Sequence, residues 1–280
     1  VKRQYSKRPH PQQKGLQPKH SLGQNFLTDA ALLNGLLDET GVGAADHILE
    51  VGPGGGDMTR LLAQRCRSVT AVEIDRDLIP ILRVVMEKAE NFTLVEGDIL
   101  RVNLPELMAG KTPFQVVANI PYYLTTELLT LLLRGDLPLA GIHVMVQKEA
   151  AQRVLAAPST PEYGPLAIRA QYYTQPRLAR IVEAACFTPP PKVDSAFLCM
   201  PWRQRPAVEV RDEKRFFKLV NAAFALRRKT LCNNLIAAYR LSREDALSWL
   251  RRAGLPEDIR GEALTLKQFA NLANVEDENG

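Results

Sequence analysis

Five short, almost uninterrupted apolar runs, separated by segments with a helical repeat, constrain this chain more than any other feature. The runs are "HILEVG" (47–52), "SVTAVEID" (68–75), "FTLVEGD" (92–98), "FQVVANI" (114–120) and "IHVMVQ" (142–147), with helical patterns between and after them at about 57–66, 76–89, 125–134 and 148–157. A strand that is apolar on both faces must be covered on both faces, and strand–helix alternation supplies that cover. The pattern predicts a parallel, doubly wound sheet with helices on each side. Ahead of it, Leu32, Leu33, Leu36 and Leu37 form a helical stripe, with Thr28 as the expected N-cap and Gly41 as the stop. Behind it, a helix at about 163–173 precedes "RLARIVE" (177–183) and "SAFLCMPW" (195–202), which are expected to complete the sheet without another full crossover.

Past "RQRP" (203–206) the strand signal stops, and "EKRFFKLVNAAFALRRKTLCNNLIAAY" and "REDALSWLRRAG" read as helices. The expected organisation is a disordered basic tail over 1–19, an α/β domain over 20–204, a small all-helical domain over 205–275 and a frayed acidic end over 276–280. Residues 1–19 hold too little apolar surface to bury.

Charge follows the same divisions. The net charge is +5, but residues 1–20 carry +6, residues 21–202 carry −5 and residues 203–280 carry +4. An acidic middle between basic ends suits a protein whose ends hold a polyanion while the middle does something else. A solubilising arm and a solvated helix face give the same pattern, so charge alone leaves the choice open. The four cysteines (Cys66, Cys186, Cys199, Cys232) form no Cys-x-x-Cys pair and have no flanking histidines, which argues against a zinc site or a disulfide framework and fits a reducing compartment. No apolar run approaches the length of a membrane span, and residues 1–19 contain no signal-type apolar stretch, so a soluble protein without membrane association is expected.

Ligands of an open parallel sheet bind at the carboxyl ends of its strands. The first strand runs into "EVGPGGG", where Gly52 and Gly54 let a ligand approach the backbone at a helix N-terminus. A dinucleotide fingerprint needs Gly or Ala at 57, where the chain has Asp57; starting the frame at Gly54 meets Thr59 instead. The nicotinamide-type motif fails, whereas Gly-x-Gly-x-Gly is the S-adenosylmethionine form. Glu73 ends the second strand, placed to accept both ribose hydroxyls, and Asp98 ends the third, placed to accept an adenine amino group. Each acid alone reads more readily as a solvated strand-end charge than as a ligand group. Together with the glycine loop they favour a methyl-donor site.

The fourth strand ends in "NIPY" (119–122). An exocyclic adenine amine is a poor nucleophile because its lone pair is delocalised into the ring. The Asn119 amide oxygen and a backbone carbonyl, accepting its two N–H bonds, would draw that nitrogen toward tetrahedral geometry. Pro121 fixes the backbone, and Tyr122 offers a face on which an extruded base can lie. The competing reading is a helix-capping loop with a packing tyrosine. No metal is required, and catalysis would be mostly positioning.

The chain resembles the KsgA-type ribosomal RNA adenine dimethyltransferases, relatives of the Erm resistance methyltransferases. The likeness covers about residues 19–272 and rests on "LGQNFL" (22–27), "EVGPGGG" (50–56), "VEIDRDL" (72–78), "EGD" (96–98), "NIPYYLTT" (119–126), "FTPPPKVDSA" (187–196) and "AFALRRKTL" (223–231). It implies a Rossmann-like S-adenosylmethionine-dependent fold with a small C-terminal helical domain. The implied reaction is dimethylation of N6 on two adjacent adenosines in a hairpin near the 3′ end of 16S rRNA, late in small-subunit assembly, with S-adenosylhomocysteine as product. By position, Asn25 and Leu27 would line the donor site with Gly52, Gly54, Glu73, Asp98 and Asn119, and Phe187 would cover the second face of the target base. Periodicity alone makes Asn25 a loop residue and Phe187 core. Arg227, Arg228 and Lys229, expected to open a helix, read as a solvated turn or a phosphate patch, and the resemblance favours docking on the ribosomal particle. The implied protein is a monomer in a bacterial cytoplasm, a plastid being the other setting. Tyr123 and the "LTT" after it differ from versions with Asn, Ile and Ser, though both styles occur among relatives.

Competing readings rank lower. An Erm-type enzyme would act on large-subunit rRNA, but "LGQNFL", "FTPPPKVDSA" and "AFALRRKTL" are closer to the small-subunit group. A DNA adenine methyltransferase would usually carry a target-recognition insertion for which this length leaves no room. A non-catalytic assembly or transcription factor would be favoured by loss of the glycine loop, Glu73 or Asn119, and all are present.

Overall fold

A computed structural model describes Lys19 and residues 23–275. The expected disorder of the tail and the fraying of 276–280 therefore concern residues outside the described ones, apart from Lys19. The chain divides into two compact units, one of residues 1–151 with 175–202, the other of 152–174 with 203–280. The helix read at 163–173 thus groups with the second unit, and the division is not a single cut near 204.

In the first unit the elements run β1 (Phe26–Leu27), α1 (Ala30–Thr40), β2 (His47–Val51), α2 (Asp57–Arg65), β3 (Ser68–Glu73), α3 (Ile79–Val85), β4 (Phe92–Glu96), α4 (Leu104–Leu107), β5 (Phe114–Asn119), α5 (Thr125–Leu132) and β6 (Leu139–Gln147). Helix α6 (Lys148–Leu155) contains the boundary between the units, and α7 (Pro165–Tyr173) belongs to the second. The first unit closes with β7 (Arg177–Val182), β8 (Phe187–Thr188) and β9 (Ser195–Pro201). Seven strands form one sheet in the order β4-β3-β2-β5-β6-β9-β7. The five from β2 to β6 are mutually parallel, whereas β9 pairs antiparallel with both β6 and β7. The last two strands thus finish the sheet as expected, without a crossover between them.

The central strands are buried as their composition requires: Ile48, Leu49, Val69, Val116, Val117, Ile142 and Val144 have no exposed surface. Leu32, Leu33, Leu36 and Leu37 of α1 join Phe197 and Val117 in one core cluster. The cap of α1 is Asp29, not Thr28. Its Oδ1 accepts from the Ala31 and Leu32 amides, each at 2.9 Å, and Gly41 ends the helix at φ +72° as expected. Helix α3 is shorter than its pattern because the Asp75 carboxylate accepts the Asp77 N–H at 3.1 Å, holding 75–78 as a turn. The four-residue α4 is too short to show a periodicity.

The second unit packs α7 with α8 (Glu213–Ala223), α9 (Leu231–Tyr239), α10 (Arg243–Arg252) and α11 (Leu266–Asn274). Each of the last four starts on a capping side chain: Asp212, Thr230, Ser242 and Thr265, the last in a reciprocal box with Gln268. An aromatic cluster fills the space between α7 and α8, with the Tyr172 and Phe216 rings stacked at 5.2 Å. Among the described residues, no helix is long and apolar enough to cross a membrane.

Candidate functional site

The sheet order reverses its direction of growth between β2 and β5, and the crevice at their carboxyl ends is where such a sheet receives ligands. A cavity lies there, lined by the loop after β2, the ends of β3 and β4, the segment after β5 and the residues around β1. Asn25, Leu27, Gly52, Gly54, Glu73, Asp98, Asn119, Pro121 and Tyr122 all reach it, from five separate parts of the chain.

The floor is the glycine loop. Gly52, Gly54 and Gly56 have φ of +66°, +60° and +84°, a region that side chains disfavour. A β-carbon on Gly54 would also come 3.1 Å from the Phe26 ring, so the loop and the β1 segment approach closely only because that position is bare. The Gly54 amide donates to Glu73 Oε2 at 3.2 Å, and the Asp75 amide donates to Oε1 at 2.9 Å. Burial raises the Glu73 carboxyl above its usual range, and the backbone donors from Asp75 and Gly54 oppose the rise. Asp98 accepts the Leu100 N–H at 3.0 Å and sits 3.5 Å from Arg101 Nε.

The β1 segment forms one wall and is tied at several points. Lys19 Nζ pairs with Asp75 at 2.5 Å and with Asp77 at 2.7 Å, and Gln24 Nε2 donates to Asp75 Oδ2 at 2.7 Å. Asn119 Nδ2 donates to the Asn25 carbonyl at 3.0 Å, and β1 pairs with β8, with Leu27 opposite Phe187. After β5, Pro121 (φ −54°, ψ 132°) leads into a tight turn over 122–124, in which the Leu124 amide donates to the Pro121 carbonyl at 2.9 Å. The Tyr122 hydroxyl is 2.9 Å from Ser195 Oγ, which fixes the ring's orientation.

Two expected placements differ. Phe187 is 3% exposed within the core cluster beside Leu27 and does not line the cavity. Its place follows from the β1–β8 pairing, which turns it inward. Arg227, Arg228 and Lys229 belong to the second unit and lie in the turn between α8 and α9, not at the start of a helix; Thr230 caps α9 after them. The buried Asn234 shapes that turn by accepting from the Leu226 amide at 3.0 Å and donating to the Ala223 carbonyl at 3.1 Å. All three basic residues are exposed, and Arg227 donates to the Pro161 carbonyl at 2.5 Å.

The structure adds residues that pattern alone does not single out. Glu50 lines the cavity at 2% exposure, and its Oε2 has no hydrogen-bond partner among the described residues. Burial pushes its carboxyl up to about 8, and the neighbouring Glu73 charge adds to the rise. An acid inside the otherwise apolar run from Ile48 to Val51 was the available signal. Gln24 and Ser195 fall inside the motifs "LGQNFL" and "FTPPPKVDSA", yet nothing there singles them out, since each acts through a partner distant in sequence. Among the described residues, no cluster of three His, Cys, Asp or Glu could hold a metal. The arrangement suits a nucleoside joined to a cationic amino acid: Glu73 and Asp98 supply acceptors for a diol and an amine, and Glu50 supplies a buried acceptor without a partner.

A family model described as ribosomal RNA adenine dimethylase matches residues 15–277. The ribosomal RNA small subunit methyltransferase A of Streptococcus sanguinis is 45% identical, covering 92% of this chain and 91% of its own. That of Clostridium acetobutylicum is 39% identical over 90% and 91%. Among solved structures, the 23S rRNA methyltransferase ErmE matches at a TM-score of 0.69 with 26% identity, covering 89% of this chain and 98% of its own. A dimethyladenosine transferase from Plasmodium falciparum shares the fold at a TM-score of 0.75 with 22% identity, over 88% and 95%. With the family model spanning nearly the whole length and relatives this similar from end to end, the chain belongs to the ribosomal RNA adenine dimethylase family.

Proposed function

We propose that this enzyme dimethylates N6 of two adjacent adenosines in a hairpin near the 3′ end of small-subunit rRNA, with the roles of its residues as follows. Its family gives the reaction class, an S-adenosylmethionine-dependent rRNA adenine dimethylation. The small-subunit substrate is supported by the curated relatives at 39–45% identity, against 26% for the large-subunit enzyme.

S-adenosylmethionine, when bound, supplies an electrophilic methyl group on a sulfonium. The chain's part is to hold both partners. Glu73 accepts the ribose hydroxyls, Asp98 the adenine amine, and Glu50 the ammonium of the amino-acid end, while Gly52 and Gly54 let the backbone come close. Asn25 and Leu27 form the wall beside it. At the target, the Asn119 amide oxygen accepts one N–H of the adenine amine and the Ile120 carbonyl the other. The Pro121 carbonyl is already taken by Leu124, and Tyr122, braced by Ser195, carries the base. Once the nitrogen has gained a methyl group, its surplus proton is strongly acidic and is lost to water, the two carbonyl oxygens orienting the N–H bonds without taking the proton.

The observation that carries this reading is the use of the Asn119 amide. Its nitrogen is spent on the Asn25 carbonyl, so its oxygen is the group left for a ligand in the cavity. Phe187 would act as a second platform for the base only after leaving the core. The turn at 227–229 would contact rRNA phosphates. The reading extends to a monomer acting late in subunit assembly in a bacterial cytoplasm, supported by the bacterial origin of the curated relatives.

The test is transfer from labelled S-adenosylmethionine to immature small subunits lacking the modification, with large subunits in parallel. Dimethyladenosine from small subunits alone is expected. Label in large subunits would reassign the substrate, and binding without label in either would leave an assembly factor.

A further inference from the structure

We propose that Tyr123 is a donor-binding residue whose ring closes the nucleoside end of the cavity over S-adenosylmethionine. The inference rests on the proposed function, in which Glu73 and Asp98 hold the ribose and the adenine.

Few large apolar side chains are left in water among the described residues, and three of them line one cavity. Ile74 (48% exposed), Leu100 (41%) and Tyr123 (54%) all line the same cavity. Ile74 follows Glu73 directly, and Leu100 donates its amide to Asp98, so two of the three flank the carboxylates assigned to the nucleoside. Exposed apolar groups gathered around a few polar acceptors describe a site for a flat, partly polar ring. Tyr123 belongs to the same group by its electrostatics: burial first, then the charges of Asp98 and Glu73, raise its phenol above the usual value.

The two adjacent tyrosines differ in how they are held. Tyr122 is tied to Ser195 at 2.9 Å, as a fixed platform requires. The Tyr123 hydroxyl has no partner among the described residues. Its ring instead rests on the β1 side of the cavity, where a β-carbon on Gly23 would lie 3.5 Å from ring carbon Cδ1 and 3.8 Å from Cε1. Gly23 has φ +58°, a backbone that glycine adopts easily, and it places this segment beside the Cδ1–Cε1 edge of the ring. From this position the ring covers the donor's nucleoside, and the phenol can donate to a ribose oxygen.

The test measures donor affinity of the full chain by equilibrium dialysis, with S-adenosylmethionine and with 5′-methylthioadenosine, which keeps the nucleoside and lacks the amino-acid end. Tyr123→Ala is expected to weaken both by a similar factor, about ten-fold, the scale of removing one aromatic platform from beneath a base. Tyr123→Phe is expected to fall between that variant and the wild type. The ligand-free melting temperature should not move, because the side chain is more than half exposed, and it shows whether the variant is folded. Unchanged affinities in Tyr123→Ala would overturn the inference. So would a raised KM for small subunits with donor affinity intact, which would place the residue on the RNA side. Failure of the wild type to bind either ligand would overturn the proposed donor site itself, and the inference with it.

Discussion

Asn119 reaches 94 positions back along the chain to donate its amide nitrogen to the Asn25 carbonyl, 3.0 Å away. One hydrogen bond thereby does two things. It turns the amide so that oxygen is left for a ligand, and it holds the β1 segment against the end of β5. Asn25 is itself steadied by donating to the Gly23 carbonyl at 3.1 Å. The wall of the donor site and the group assigned to the target amine are therefore mechanically joined.

Substituting Asn119 separates these effects. Asn119→Ala is expected to lower single-turnover methyl transfer by about 10²–10³-fold, the usual effect of removing one preorganised polar group at the reacting atoms. Donor affinity should fall far less, because Glu73, Asp98 and the glycine loop remain. Asn119→Asp keeps an acceptor but sets a carboxylate against the Asn25 carbonyl. It should lose less of the transfer rate and more of the donor affinity than the alanine variant. Single-turnover rates with donor dialysis check both, and wild-type transfer in Asn119→Ala would remove the residue from the reaction.

Much of this was legible in the chain because it depends on short-range pattern. The runs from His47 to Gln147 are apolar on both faces, which only a covered parallel sheet explains, and Glu73, Asp98 and Asn119 stand at strand ends where such a sheet places them. What was not legible depends on segments far apart in sequence coming together. Phe187 reads as core by periodicity, and its pairing with Leu27 keeps it there; its role toward a base came from family likeness alone. Thr28 and Asp29 are both capping residues, and only the backbone geometry picks Asp29. The basic triplet continues a helical pattern in sequence, yet Asn234 takes up the Ala223 carbonyl and the Leu226 amide and breaks the helix there.

That turn bears on how an RNA substrate is held. Arg227 already donates to the Pro161 carbonyl, whereas the side chains of Arg228 and Lys229 make no hydrogen bond or ion pair among the described residues, Lys229 using only its amide, toward the Leu226 carbonyl. Replacing Arg228 and Lys229 by Ala is expected to weaken capture of small subunits and to reduce the salt slope of binding by about one for each phosphate that is no longer neutralised. Arg227→Ala should act more on the stability of the turn than on that slope. Filter binding across a salt series measures the slope. An unchanged slope would return both residues to an ordinary solvated face.

The segment ahead of β1 is tied down through Asp75, whose side chain is 2% exposed and joins Lys19, Gln24 and the Asp77 amide. Its carboxyl titrates below the usual range: burial would raise it, but the Lys19 and Gln24 hydrogen bonds outweigh that. Asp75→Asn removes the charge that Lys19 faces and is expected to raise the donor dissociation constant by about three- to ten-fold, or about 1 kcal/mol. High salt should weaken wild-type donor binding more than that of the variant. Equal affinity of the two proteins at low salt would show that the ties to Lys19 and Gln24 do not hold the wall in place.

Glu50 gives the last prediction, and its sign follows from its pKa. Folding raises this carboxyl from the ordinary range to about 8, so between those values the folded chain binds a proton that the unfolded chain has released. Wild-type stability must therefore lose ground as pH rises through that window, by up to about 1.4 kcal/mol per pH unit from this group. Glu50→Gln carries no such proton and escapes the loss. Its urea midpoint, compared with wild type, should shift upward between pH 5.5 and pH 8.5, and other titrating groups largely cancel in the comparison. Saturating S-adenosylmethionine should narrow the gap, because an ammonium placed beside Oε2 stabilises the carboxylate and lowers the pKa again. A gap that ignores pH would mean that Glu50 is not the proton-binding group, and one that ignores the donor would move the ammonium away from it.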